Sequence, residues 1–231
     1  MNREIEDKQF SKLSKDASVE EEIFITYFTD PLCAWSWAFE AEWKKFKVLM
    51  GDHLHVTYRM GGLIPDWKTF YDSANSVTRP PQMGPVWMHI EEITNVKVNH
   101  SIWMKDPPTS SYPACIAFKC AELQSRQVAE LYLDMMREAV MLFGKNISKT
   151  ETLLSLAANP ALELVGFDKV KFKKDLFNGA GLAAFRKDLE IAQNHRITRF
   201  PALVIRRKNR PTLMVPGYKK VEELIQIIHR D

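Results

Sequence analysis

The sequence predicts an α/β protein in which two β-rich ends share one sheet and a helical block is inserted between them. Three observations lead there. Residues 22–63 run from β-rich to helical and back to β-rich, and residues 65–179 carry helical periodicity interrupted by Pro-Pro pairs. The last fifth of the chain returns to mixed order. If both ends contribute to one sheet, the helices between them must pack against a single split domain.

Taken in order, residues 1–20 are polar, with apolar side chains too sparse to offset the entropy of ordering, and are expected to form a flexible arm. Glu22 to Phe28 is rich in β-branched and aromatic residues and stops at Asp30-Pro31, which reads as a buried strand and a turn. From Cys33 to Met50 the side chains Phe39, Trp43, Phe46 and Met50 recur at spacings of 4, 3 and 4, an apolar helical stripe closed by Gly51. A second strand is expected over His55 to Leu63, with Val56, Tyr58 and Met60 on one face, completing a βαβ unit.

In the middle, Val128, Leu131, Met135, Ala139 and Leu142 mark one helix face, Ser148 with Glu151 suggests a capping box, and Asp168 a further cap. After it come a helix from Leu182 to His195, strands at Ala202–Arg206 and Leu213–Val215, and an amphipathic helix with Val221, Leu224, Ile225 and Ile228. The basic run Arg206 to Arg210 between the two strands reads as a solvated hairpin turn.

Composition narrows the function. The net charge is +3 with scattered basic residues, which leaves no electrostatic footprint for nucleic acid. The polar N-terminus has no apolar h-region and no run of about 18 apolar residues occurs, so neither a signal peptide nor a membrane span is expected, and the location expected is cytoplasmic. In such a compartment Cys33, Cys115 and Cys120 remain thiols. Cys115 and Cys120 are five residues apart, about 140° around a helix, so they do not share a face and are expected to pack as small apolar side chains. The histidines and cysteines lack zinc-site spacing, so no metal is expected. Trp67, Trp87, Trp103, Met83, Met88 and Met104 read as core, or as an apolar groove if they open near Cys33.

Cys33 is the candidate reactive group. At a helix start it sits among unpaired N–H groups at the positive end of the dipole, which favours thiolate over thiol. The octapeptide Asp30-Pro31-Leu32-Cys33-Ala34-Trp35-Ser36-Trp37 resembles the active-site motif of DsbA-like thioredoxin-fold proteins, in which C-x-x-C opens the first helix. Ile197-Thr198-Arg199-Phe200-Pro201-Ala202-Leu203-Val204-Ile205 is similar to that family's cis-proline loop. The resemblance spans roughly residues 22–229. It implies a thioredoxin-like domain built from residues 21–64 and 180–231, with a helical domain at 65–179 inserted between the N-terminal βαβ unit and the cis-proline half.

It further implies Cys33 and Ser36 as the catalytic pair, with Ala34, Trp35, Phe200 and Pro201 binding substrate, and a thiol–disulfide oxidoreductase or isomerase acting on protein or glutathione thiols and disulfides. No resident cofactor is expected; glutathione is a candidate co-substrate. The pattern departs where the second cysteine belongs, because Ser36 cannot form a disulfide. A C-x-x-S site can still form mixed disulfides, with Ser36 donating to the thiolate and glutathione, a substrate thiol, or Cys115 or Cys120 resolving them. Ser36 could instead replace a native cysteine so as to trap a dithiol enzyme. Two other functions stay open: a kappa-class glutathione transferase or chromene-carboxylate isomerase relative, and a non-catalytic adaptor that binds a protein in the cleft.

Overall fold

The computed structural model describes residues 21–229. The expected arm at residues 1–20 lies outside the described residues. The strands are β1 (Ile23–Thr29), β2 (Leu54–Met60), β3 (Ala202–Arg207) and β4 (Leu213–Pro216), in the order β2-β1-β3-β4. β1 runs parallel to β2 and antiparallel to β3, and β4 is antiparallel to β3. The first and last parts of the chain therefore share one sheet. Helix α1 (Ala34–Met50) makes the crossover between the parallel strands.

Between β2 and β3 lie helices α2 (Met83–Thr94), α3 (Ile102–Lys105), α4 (Tyr112–Glu122), α5 (Arg126–Met141), α6 (Thr150–Leu156), α7 (Pro160–Glu163), α8 (Lys169–Phe177) and α9 (Ala180–Asn194). Helix α10 (Val221–His229) ends the described chain.

The periodic apolar pattern explains most of this. Phe39, Trp43, Phe46 and Met50 are all buried on α1, and Tyr27 of β1 packs edge-on against Phe39 with ring centroids 5.8 Å apart. The alternation of Val56, Tyr58 and Met60 places all three in the core, although β2 ends at Met60, ahead of the glycine pair, and so is shorter than its composition suggested. On α10 the four stripe residues are buried.

The sequence reading fails at three places, each for a tertiary reason. On α5 the buried residues include Val128, Tyr132, Leu133, Met136, Ala139 and Val140, while Leu131 and Met135 are half-buried and Leu142, just after the helix, is exposed. The helix is apolar on more than one flank, and the neighbours on both sides, including the buried Arg137, select the inward one. The capping box does not form: Lys149 is the N-cap of α6, and Ser148 Oγ donates instead to Asn146 Oδ1 at 2.6 Å. Arg206 and Arg207 belong to β3 rather than to a turn, and Arg207 is buried with Nη1 donating to the Ile228 carbonyl. Asp168 does cap α8, accepting from Lys171 N at 2.9 Å.

Two buried ionic clusters join the helical block to the sheet. Arg137 of α5 is fully buried and donates to Glu40 of α1 and to Thr29 Oγ1 at the end of β1. Asp188 of α9 accepts from Arg59 Nη1 at 2.8 Å and Met60 N at 3.0 Å, and pairs with Lys119 of α4 at 2.9 Å. Removing one partner of such a pair strands the other charge away from water. Arg137→Ala is accordingly expected to cost about 3–5 kcal/mol in urea unfolding. Arg137→Ala combined with Glu40→Gln should recover part of that loss, because no carboxylate is then left unpaired.

Candidate functional site

The site begins where β1 runs out. Asp30, fully buried, turns the chain: its Oδ1 accepts from Leu32 N at 2.8 Å and its backbone carbonyl accepts from Cys33 N at 3.1 Å. Its other oxygen, Oδ2, accepts from Leu63 N at 2.7 Å, Ser111 Oγ at 2.8 Å and the Cys115 thiol at 3.3 Å. One carboxylate thus holds the turn, the loop after β2, and helix α4 with its N-cap. Burial pushes the Asp30 carboxyl above its usual range, while the Leu63 and Leu32 amides and the Ser111 hydroxyl pull it back.

Cys33 is the N-cap of α1, one position before the first helical residue. Its sulfur accepts from Ser36 N at 3.4 Å and donates to the Phe200 carbonyl at 3.4 Å. The Phe200–Pro201 peptide bond is cis, and the Pro201 carbonyl accepts from Gly217 N at 2.7 Å. Segments 167 residues apart in the chain therefore meet at one thiol.

The helix dipole expected to favour a thiolate is opposed by burial. Cys33 is only 5% exposed, within an apolar cluster of Phe28, Ala192, Phe200, Ala202 and Val204. Burial pushes its thiol above the ordinary value, outweighing the lowering contacts from Ser36, and the Asp30 carboxylate adds to the rise. The physical reason is one of magnitude: helix-end electrostatics contribute about 0.3–2 kcal/mol, less than the cost of moving a charge out of water.

Ser36 is fully buried; its backbone N–H donates to the Cys33 sulfur, and its hydroxyl, which makes no other hydrogen bond among the described residues, acts on the same sulfur. Ala34 is buried and Trp35 half-buried, the latter packing on Tyr218 with centroids 6.3 Å apart. Cys33, Ala34, Trp35 and Phe200 all line one groove of about 730 Å3. The remaining walls come from Gly61–Leu63, from the loop 69–75, from α2 through Met83, Val86, Trp87 and Ile90, and from Ile197–Arg199. Trp87 and Met83 are thus both core and groove wall, whereas Met88 and Met104 are exposed on other surfaces and Trp103 is buried. Cys115 and Cys120 are free and buried, and the Cys115 thiol is directed at Asp30 rather than at Cys33.

Three functional features escaped the sequence reading. Gly61 seemed only to end a strand, but a Cβ there would come within 1.8 Å of the Phe200 ring, so its lack of a side chain is what admits that ring beside Cys33. The loop 69–75 carried no periodic signal; an isolated bridge between Asp72 and Val77 closes it. The Ser111 and Cys115 contacts to Asp30 bridge 81 and 85 residues and leave no local trace.

Known proteins resemble this arrangement in two ways. The chain is 29% identical to the ClpXP adapter protein SpxH of Halalkalibacterium halodurans over 87% of its own length and 65% of that protein. The SpxH of Bacillus subtilis (strain 168) gives 29% over 87% and 66%. The chain therefore spans about two thirds of the length of these curated relatives. Among solved structures, the cytosolic disulfide reductase DsbM of Pseudomonas aeruginosa superposes with a TM-score of 0.68 at 17% identity, covering 89% of this chain and 96% of that one. A family model described as thioredoxin matches residues 27–226. On that match, which takes in β2, β3, β4 and the end of β1, the chain belongs to the thioredoxin family, and its fold is DsbA-like.

Proposed function

We propose that this chain is a protein-binding adaptor on a DsbA-like fold, which holds an extended segment of a partner protein in the groove beside Cys33 and does not cycle between dithiol and disulfide. One observation carries the reading: among the described residues that line the groove the one thiol, Cys33, is only 5% exposed and within hydrogen-bond distance of the Phe200 carbonyl, with a hydroxyl where a second thiol would have to be. Exchange needs an exposed thiolate and a resolving sulfur. Binding needs neither. The groove offers apolar walls from Trp35, Met83 and Trp87 with polar groups at its rim, the combination that orients a peptide. The relatives named as ClpXP adapters support a protein partner, and a ClpXP-type protease in the cytoplasm is the machine to which a bound client would be delivered.

A second reading keeps a redox step. The Ser36 hydroxyl is placed to donate to Cys33 once the sulfur loses its proton, and Ser36 N already does so. In this reading a partner that displaces Phe200 exposes the thiol, and Cys33 forms a mixed disulfide that an external thiol such as glutathione resolves. A structural neighbour, DsbM, has been solved with GSH.

Three measurements separate the readings. Alkylation of Cys33 followed across pH should give a midpoint above that of free glutathione measured alongside, and Asp30→Asn should lower it by removing a nearby negative charge. A wild-type midpoint below that of glutathione would restore the thiolate mechanism. In insulin reduction with glutathione, the wild-type chain should show no turnover and Ser36→Cys should gain it; wild-type turnover at the rate of that variant would sink the adaptor reading. Co-elution of the purified chain with ClpXP should survive Cys33→Ala, and no co-elution at all counts against delivery to that machine.

A further inference from the structure

The second surface to consider lies on α8, and the groove reading makes no use of it. The inward face of α8 carries Phe172 and Asp175, both buried. Its outward face carries Val170 and Phe177, 80% and 62% exposed, seven residues apart and so on one side of the helix. Lys173 and Lys174 stand between them, and Lys169 precedes them. Together with Asn178 these six side chains line a shallow depression.

Charge says what covers it. The nine residues of α8 hold four lysines and one aspartate, a net charge of +3 equal to that of the entire 231-residue chain. Asp175 is taken by Lys171 through an ion pair, which leaves Lys169, Lys173 and Lys174 without an acidic partner among the described residues. Two large apolar side chains left in water between three unneutralised cations form a surface whose complement is apolar at its centre and acidic at its edges.

We propose that the outward face of α8 docks an acidic amphipathic helix of a partner protein, its apolar stripe lying on Val170 and Phe177 and its carboxylates facing Lys169, Lys173 and Lys174. The binding mode is helix-in-groove, with i, i+3/i+4, i+7 anchors on the incoming segment. The lysine stems extend the apolar floor while their ammonium groups stay in water. An anionic bilayer is the weaker fit, because a membrane-lying helix sinks a continuous apolar face, whereas here Phe172 is committed to the fold and only two apolar side chains look outward. The inference stands apart from the adaptor reading, since it uses no residue of the groove; an adaptor does, however, need a second surface.

The test uses the full chain and a labelled 18-residue peptide with leucine on one helical face and glutamate on the others, followed by fluorescence anisotropy. Saturable binding is expected that weakens between about 50 and about 300 mM salt. Val170→Ser with Phe177→Ser, and separately Lys173→Glu with Lys174→Glu, should each weaken it about tenfold or more. All four positions are exposed, so the circular dichroism melts of the variants should match the parent. Met104→Ser, at an exposed apolar position on neither surface, should leave peptide affinity unchanged, and the anisotropy is read with no groove ligand present, which separates failure here from failure at the groove. Four outcomes overturn the proposal: no binding, equal affinity for the leucine–lysine counterpart peptide, indifference to both double substitutions, or tighter association with phosphatidylserine-containing vesicles than with the acidic peptide.

Discussion

The carboxylate of Asp30, without contact to water, gathers hydrogen bonds from the turn at Leu32, from Leu63 after β2, and from Ser111 and Cys115 at the start of α4. Each donor belongs to a different wall of the groove or to the helix behind it. A buried carboxyl without partners would cost several kcal/mol, so every one of these segments is constrained to arrive at the same point. The position of Cys33 follows, because its amide is bonded to the Asp30 backbone carbonyl and its helix starts from that turn. The same constraint sets how the helical block meets the sheet, since Ser111 also accepts from Ile64 N at 3.1 Å.

What this frame presents is a thiol in balance between two influences. The amides at the start of α1 favour negative charge on sulfur, and the Ser36 N–H is in place to receive it. Phe200, Ala192, Ala202 and Val204 exclude the water that would solvate that charge. Burial raises the thiol's pKa, and the thiol donates a hydrogen bond to the Phe200 carbonyl. Phe200 joins both features, its ring packed against Gly61 and its carbonyl bonded to the Cys33 thiol. A family scaffold associated with electron transfer can in this way serve as a holder of peptides without any change of fold.

The outer face of α8 is governed by a different economy. Its lysines cannot neutralise one another, and Asp175 is already paired with Lys171. The apolar pair on the same face gains little from the fold, because most of both side chains is exposed. Groove and helix face are therefore chemically unlike: the first sets apolar walls beside polar side chains such as Asp72, Asn75 and Arg199, the second is apolar with a cationic border.

Local sequence decided a great deal here. The period of apolar residues in α1, β2 and α10, the proline and glycine that bound β1 and α1, and Asp168 as a cap were readable because each rests on interactions within a few residues. Motif resemblance brought Cys33, Ser36, Phe200 and Pro201 into one site. Tertiary structure alone decided the rest: which flank of α5 turns inward, that Asp30 is shared by Leu63, Ser111 and Cys115, that Gly61 makes room for Phe200, and that Cys33 is buried. The reason is physical. Helix-end electrostatics act over one turn of chain and can be read from a motif, whereas desolvation is set by what distant segments bring to the same place, and for Cys33 that second effect is the larger.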